Sequence, residues 1–162
     1  MPIHGHVTPL LAVARHFAGR GDRVRFLTGA RFADVVVATG AKRVPLPAEI
    51  DFDDRQDWHE TFPERAALTG VQAIAHDIDR IFVRPGPAQR DAVMAAHTEE
   101  PADVLLADPA FLGGAFLLGH PRGVRPPIVM CLPADDREPR HRTVRHGAHP
   151  RSAGSATACT RC

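Results

Sequence analysis

Two histidines, His4 and His6, flank a single glycine just ahead of the first periodic apolar stretch, and far downstream Asp108 closes the apolar run that starts at Asp103. Four chemistries suit His4-Gly5-His6. Zinc asks for three or four ligands in set geometry, and His-x-His supplies two. A pair of solvated loop histidines needs nothing more. A phosphate could sit at the start of the following helix, although one glycine makes a poor anion nest. Lastly, a neutral imidazole at a helix start, held in one tautomer by a carboxylate from a strand end, is a general base for a hydroxyl proton. Asp108 is the candidate carboxylate, and residue types alone leave all four readings open.

The elements that must position these residues are legible as an alternation. Thr8 as a cap, Pro9 at the first helical position and the stripe Leu10, Leu11, Val13, Ala14, Phe17 and Ala18, stopped by Gly19 and Gly21, predict a helix from Pro9 to Ala18. Arg23 to Thr28 alternates as a strand, Arg31 to Thr39 reads as a helix closed by Gly40, and Arg43 to Leu46 as a second strand. The acidic stretch Asp51 to Glu64, with the single Trp58, has no period and predicts a long surface loop over a cleft or an irregular lobe. Leu68, Val71, Ile74, Ala75, Ile78 and Phe82 predict a helix over Ala66 to Val83, and after Pro85-Gly86-Pro87 a second amphipathic stretch runs to His97. Asp103 to Asp108 is a buried-strand pattern, Phe111 to Leu118 a small-residue helix, and Pro127 to Leu132 a further strand.

Strands alternating with helices imply an α/β fold: a Rossmann-like parallel sheet with helices on both faces and a ligand crevice beyond the carboxyl ends of its strands. Only Met1, Pro2 and Ile3 precede the histidines. The expected fold therefore opens without its first strand, which in the usual doubly wound order lies in the middle of the sheet.

Size and composition bound the rest. With 162 residues and 17.6 kDa the chain is too short for two full α/β domains. It is 44% hydrophobic and 24% charged, enough for an ordinary core, and its apolar runs fall far short of an integral membrane segment. No charged leader runs into a long apolar stretch, so a cytoplasmic address is expected, which three cysteines fit. The net charge of +1 is uneven: Ala134 to Cys162 holds six Arg against three acids, leaving residues 1–133 at −2. This tail has one aliphatic residue larger than Ala, Val144, and is expected to be disordered. Cys159-x-x-Cys162 fits no tight ligand spacing, and dispersed arginines without aromatics make a poor nucleic-acid arm, so neither a metal nor a nucleic-acid partner is expected.

His4-Gly5-His6-Val7-Thr8-Pro9-Leu10-Leu11, the Gly21 to Thr28 segment, Arg31-Phe32-Ala33-Asp34, Val44-Pro45-Leu46-Pro47, Pro101-Ala102-Asp103 to Asp108 and Arg125 to Val129 together resemble the amino-terminal domain of bacterial GT-B glycosyltransferases. These enzymes belong to the UDP-glucuronosyl/UDP-glucosyltransferase superfamily and include macrolide and glycolipid glycosyltransferases. The resemblance ends at Pro133. It implies transfer of a sugar from a nucleotide-sugar donor to the hydroxyl of a small lipophilic acceptor, with inversion, with His6 as the general base and Asp108 orienting it, and with no cofactor. Ile74 and Phe111 are the candidates for lining the acceptor pocket. The donor-binding domain of the family has no counterpart here, so donor-binding residues are expected to be absent and the chain inactive as it stands. From a different class, a non-catalytic Rossmann-like module that binds a ligand or a partner, with a disordered basic tail, is the alternative.

The resemblance divides the chain into residues 1–133, an incomplete acceptor-binding domain, and residues 134–162, a non-native basic tail. The near absence of Lys, Asn and Tyr beside abundant Ala, Arg, Gly and Pro marks a GC-rich gene. Ala134 to Gly147, back-translated with permitted codons and read after dropping one base, gives LTIASRDTAPFGTG, which resembles the loop expected next in the family. The expected origin of the tail is therefore out-of-frame translation after a one-base insertion.

Overall fold

The structure, a computed structural model, describes residues 1–130. The tail, the frame boundary and the end of the expected Pro127 to Leu132 strand lie outside the described residues. Helix α1 (His4–Gly19) starts earlier than the proline signal predicts. Ile3 is its extended first cap, and the Ile3 carbonyl accepts the N–H groups of His6 and Val7, both at 3.0 Å. The two histidines thus stand in the first helical turn, not in a loop before it, and Pro9 lies inside the helix. Proline there leaves the Gly5 carbonyl without its usual donor, which is tolerable because Gly5 is exposed and water can take that place. Thr8 is consequently a helical residue and not a cap.

Strand β1 (Arg25–Thr28), a 3₁₀ turn at Ala30–Phe32, helix α2 (Ala33–Val37) and strand β2 (Lys42–Pro45) follow as read, with Gly40 at φ 87° closing α2. β1 and β2 pair in parallel, Arg25 beside Lys42 through Thr28 beside Pro45. Val7 and Ala14 of α1 bury against Phe32, Val36 and Ala41, which seats α1 on one face of this pair.

The acidic stretch is an irregular lobe. Helix α3 (Trp58–Thr61), capped by the Asp57 carboxylate accepting the His59 N–H at 2.6 Å, stacks Trp58 on Phe62 at 5.6 Å, with Phe52 edge-on to Phe62. The single helix expected over Ala66 to Val83 is broken into a 3₁₀ segment (Pro63–Ala67), helix α4 (Gly70–Asp77) and a π-helical turn (Ile78–Val83). Gly70, at φ 54°, accounts for the first break. The wide turn, closed by the Arg84 N–H on the Asp79 carbonyl at 2.8 Å, buries Ile81 with Met1 and Phe62.

Helix α5 (Gly86–Glu99), strand β3 (Leu105–Ala107), helix α6 (Gly113–Leu117) and strand β4 (Ile128–Met130) complete the described chain. β3 and β4 pair in parallel, Leu105 beside Ile128. Val93, Ala107, Phe111 and Leu117 form their core, and Leu27 of β1 packs against it. The expected single sheet is instead two separate parallel pairs, β1 with β2 and β3 with β4. Between β1 and β3 lies a cleft, and no hydrogen bond joins the two strands across it.

Met1 is buried, and burial pushes its terminal amine from its ordinary value near 8 down to about 5, against the opposing pull of Asp108 and Asp51. Between those values the unfolded chain binds the extra proton, so the folded state gains stability as pH rises from about 5 to about 8. The expected gain is about 4 kcal/mol, at 1.36 kcal/mol per unit. Urea titrations at both pH values, compared with the same chain acetylated at Met1, isolate this amine; equal pH slopes for the two would contradict it.

Candidate active site

His6 and Asp108 come together although 102 residues separate them. α1 supplies His6 from its first turn, and the end of β3 supplies Asp108, so the two meet at the carboxyl end of a strand. His6 Nδ1 lies 3.0 Å from Asp108 Oδ1, with side chains 33% and 8% exposed. Asp108 Oδ1 also accepts the Ala110 N–H at 2.8 Å, which fixes the carboxylate on the turn that follows the strand. A carboxylate only accepts, so Nδ1 carries the proton and the neutral ring keeps its lone pair on Nε2. That is the minor tautomer for an imidazole free in water. Nitrogen NMR of His6 with its ring neutral is expected to show a proton on Nδ1 and a bare Nε2, and Asp108→Ala is expected to return the ring toward the Nε2–H form.

Phe82, from the π-helical turn, sets its ring edge against the imidazole, centroids 6.1 Å apart at 74°. Sequence periodicity reads Phe82 only as helix core, and a π turn carries no pattern that would have assigned it to His6. His4 is differently employed. Its backbone N–H donates to Asp54 at 2.7 Å, and its ring is exposed beside the Thr8 hydroxyl at 3.4 Å. Asp54 is in turn paired with Arg31, which ties the lobe to the start of α1.

His6, Asp108 and Phe111 line one end of the cleft between β1 and β3, whose volume is about 480 Å³. Phe111 is buried in the core of Val93, Ala107 and Leu117 and reaches the cleft beside Asp108. Ile74 stands on the outer side of α4, 60% exposed, and does not line the cleft. Among the described residues, no group of three or more His, Cys, Asp or Glu side chains is placed to hold a metal ion. No described helix is long and apolar enough to cross a membrane.

An α/β layer with an imidazole–carboxylate pair at a strand's carboxyl end has the arrangement of Rossmann-like domains, in which ligands bind in the crevice beyond the strand ends. Comparison with known proteins narrows the class. Over 116 residues the chain is 36% identical to 4'-demethylrebeccamycin synthase of Lentzea aerocolonigenes, covering 72% of this chain and 27% of that protein. Over 142 residues it is 34% identical to UDP-glucosyltransferase B1 of Starmerella bombicola, covering 81% of this chain and 31% of the relative. Among solved structures it is similar to the calicheamicin glycosyltransferase CalG4 (25% identity, TM-score 0.51, 70% of this chain and 28% of that one). It also shares the fold of the glycosyltransferase of kitacinnamycin (23% identity, TM-score 0.54, 80% and 27%). No family model matches the chain. The chain is a homologue of GT-B glycosyltransferases and spans roughly three tenths of the length of the curated relatives it matches.

Proposed function

We propose that this chain is the acceptor-side part of an inverting glycosyltransferase, with His6 as the base and Asp108 as the group that orients it. The observation that carries the reading is the Nδ1–carboxylate contact at 3.0 Å, which leaves Nε2 of His6 free at the carboxyl end of β3. Nε2 takes the proton of an acceptor hydroxyl. The oxygen then forms a bond to the anomeric carbon of a uridine diphosphate sugar, and the bond from that carbon to the diphosphate breaks with its electron pair on the departing nucleotide. Phe82 and Phe111 offer apolar surface near the base and support a lipophilic acceptor.

The chain spans less than a third of the relatives' length, and transfer needs donor and acceptor held together, since proximity contributes several kcal/mol of the barrier. The 162-residue chain alone is therefore expected to transfer no sugar. The test joins residues 1–130 to the remaining part of 4'-demethylrebeccamycin synthase and follows release of uridine diphosphate from uridine diphosphate glucose in the presence of a lipophilic alcohol. Acceptor-dependent release supports the reading; a folded fusion that binds donor and acceptor without turnover overturns it.

A further inference from the structure

The first turn of α1 carries His6, and its own residues hold it poorly. Its cap residue, Ile3, accepts no hydrogen bond through its side chain, and the turn contains no acid to meet the helix dipole. Gly5 lies within the turn and is a poor helix former. Pro9 lacks the N–H that the Gly5 carbonyl would accept, so the ladder loses a rung between the first turn and the second. At the open end there remain the bonds of the His6 and Val7 N–H groups to the Ile3 carbonyl.

The missing cap arrives from the acidic stretch. Asp54 Oδ2 accepts the His4 N–H at 2.7 Å from 50 residues along the chain, and the other oxygen of the same carboxylate accepts from the Arg31 guanidinium. The Asp54 side chain is 9% exposed and that of Arg31 16%, so both are held within the fold. Arg31 also lies 3.5 Å from Asp53 and over the Phe32 ring, 4.6 Å from its centre, and Phe32 is buried with Val7 and Ala14 of α1. The neighbouring acids are employed in the same way: Asp51 accepts the Ala30 N–H at 2.9 Å, and Asp57 the His59 N–H. A stretch without a period is thus a set of caps, and Asp54 caps the helix that carries His6.

We propose that Asp54 is a positioning residue for His6: by capping α1 at His4 it keeps the first turn helical, and that turn sets His6 Nδ1 against Asp108. Successive residues of a helix turn through about 100°, so fraying of this turn swings the imidazole away from its 3.0 Å contact. Arg31 aims the carboxylate, and Asp54 passes the placement of the lobe to the base. The effect on turnover rests on the reading of His6 as that base. The effect on the tautomer of its ring does not.

The test is Asp54→Ala in the 162-residue chain, read by nitrogen NMR of the His6 ring and by amide hydrogen exchange. The neutral ring is expected to move from the Nδ1–H toward the Nε2–H form, as in Asp108→Ala, and exchange at His6 and Val7 to quicken at least tenfold while that at Ala14 is unchanged. Asp54→Asn retains an oxygen for the His4 N–H and is expected to keep the Nδ1–H form. Ile3→Thr, which places a hydroxyl at the cap position on a side chain that is still branched, is expected to restore that form in the Asp54→Ala background. A tautomer unmoved by Asp54→Ala overturns the proposal. So does an Asn variant as disturbed as the Ala variant, which assigns the effect to the ion pair with Arg31. Where Asp54→Ala does not fold, the double variant with Ile3→Thr decides: a folded chain with the proton on Nδ1 supports the proposal, and a second failure to fold overturns it, since Asp54 then holds the lobe and not the turn. In the fusion that restores a donor-binding part, Asp54→Ala is expected to lower kcat at least tenfold at nearly unchanged KM, with recovery in Asp54→Asn. Normal turnover by His6→Ala, beside the stated tautomer shift in Asp54→Ala, would remove the assignment of the base and leave the positioning role standing.

Discussion

Alanine at Gly113 is expected to destabilise the chain by about 2–3 kcal/mol, while alanine at Gly86 changes stability by less than about 1 kcal/mol. Both glycines lie where α5 and α6 touch. A Cβ at Gly113 would come within 2.5 Å of Gln89 Cβ and 3.0 Å of the Arg90 nitrogen and Gln89 carbonyl carbon, so it meets the backbone of α5, which can yield only by moving the helix. The Gly113 N–H also donates to Gln89 Oε1 at 3.0 Å, and Gln89 is buried, so separating the helices strands a polar pair as well. At Gly86 the obstacle is the ring of Phe116, the far end of a side chain 41% exposed, which can swing into solvent. There the smaller conformational freedom of alanine in the unfolded chain, worth about 0.4–1 kcal/mol, offsets the displacement. Urea titrations of the two variants beside the parent chain check this, and equal losses would show that the α5–α6 contact is not backbone-limited.

The same contact shows where sequence reading stops. The apolar stripe from Leu10 to Phe17 and the runs around Phe26, Val44, Leu105 and Val129 announced α1 and all four strands because burial on one or both faces imposes a period on residue type. Gly113 inside a small-residue helix announced a helix, but nothing in its neighbours told that the space was owed to Gln89. The start of α1 was misplaced because Pro9 is a good first residue of a helix, and only the solvation of Gly5 makes it acceptable in the interior. The break at Gly70 and the π turn after it escape a 3.6-residue pattern, since Leu68, Ile74 and Phe82 keep helical spacing across both. The pairing of His6 with Asp108 was named from the sequence as chemistry and family resemblance; its geometry depends on α1 and β3 meeting in space, which no local pattern contains. Phe82 is legible only as part of a helical stripe, since its contact with His6 joins two elements far apart in the sequence.

Changing His6 to alanine, in the fusion that restores a donor-binding part, is expected to lower turnover by about 10²–10⁴-fold with little change in acceptor affinity. An alcohol is a weak nucleophile until its proton has somewhere to go, and His6 Nε2 is the acceptor the Asp108 contact leaves free. On the proposed mechanism the loss falls on kcat, because there the imidazole acts on the hydroxyl as it attacks, while the apolar surface of Phe82 and Phe111 near the base remains. Asp108→Asn should do less harm, since it lets the ring turn without deleting the base. His4→Ala should leave turnover near that of the parent, because the His4 contribution at this end of α1 is a backbone N–H on Asp54, which alanine retains.

Steady-state transfer from uridine diphosphate glucose by the fusion, with His6→Ala and His4→Ala side by side, tests the assignment of the base most directly. The account predicts a His6 variant slowed at least a hundredfold and a His4 variant within a few-fold of the parent, both folded and both binding acceptor. A His6 variant that turns over normally, or a His4 variant that is the inactive one, would contradict it.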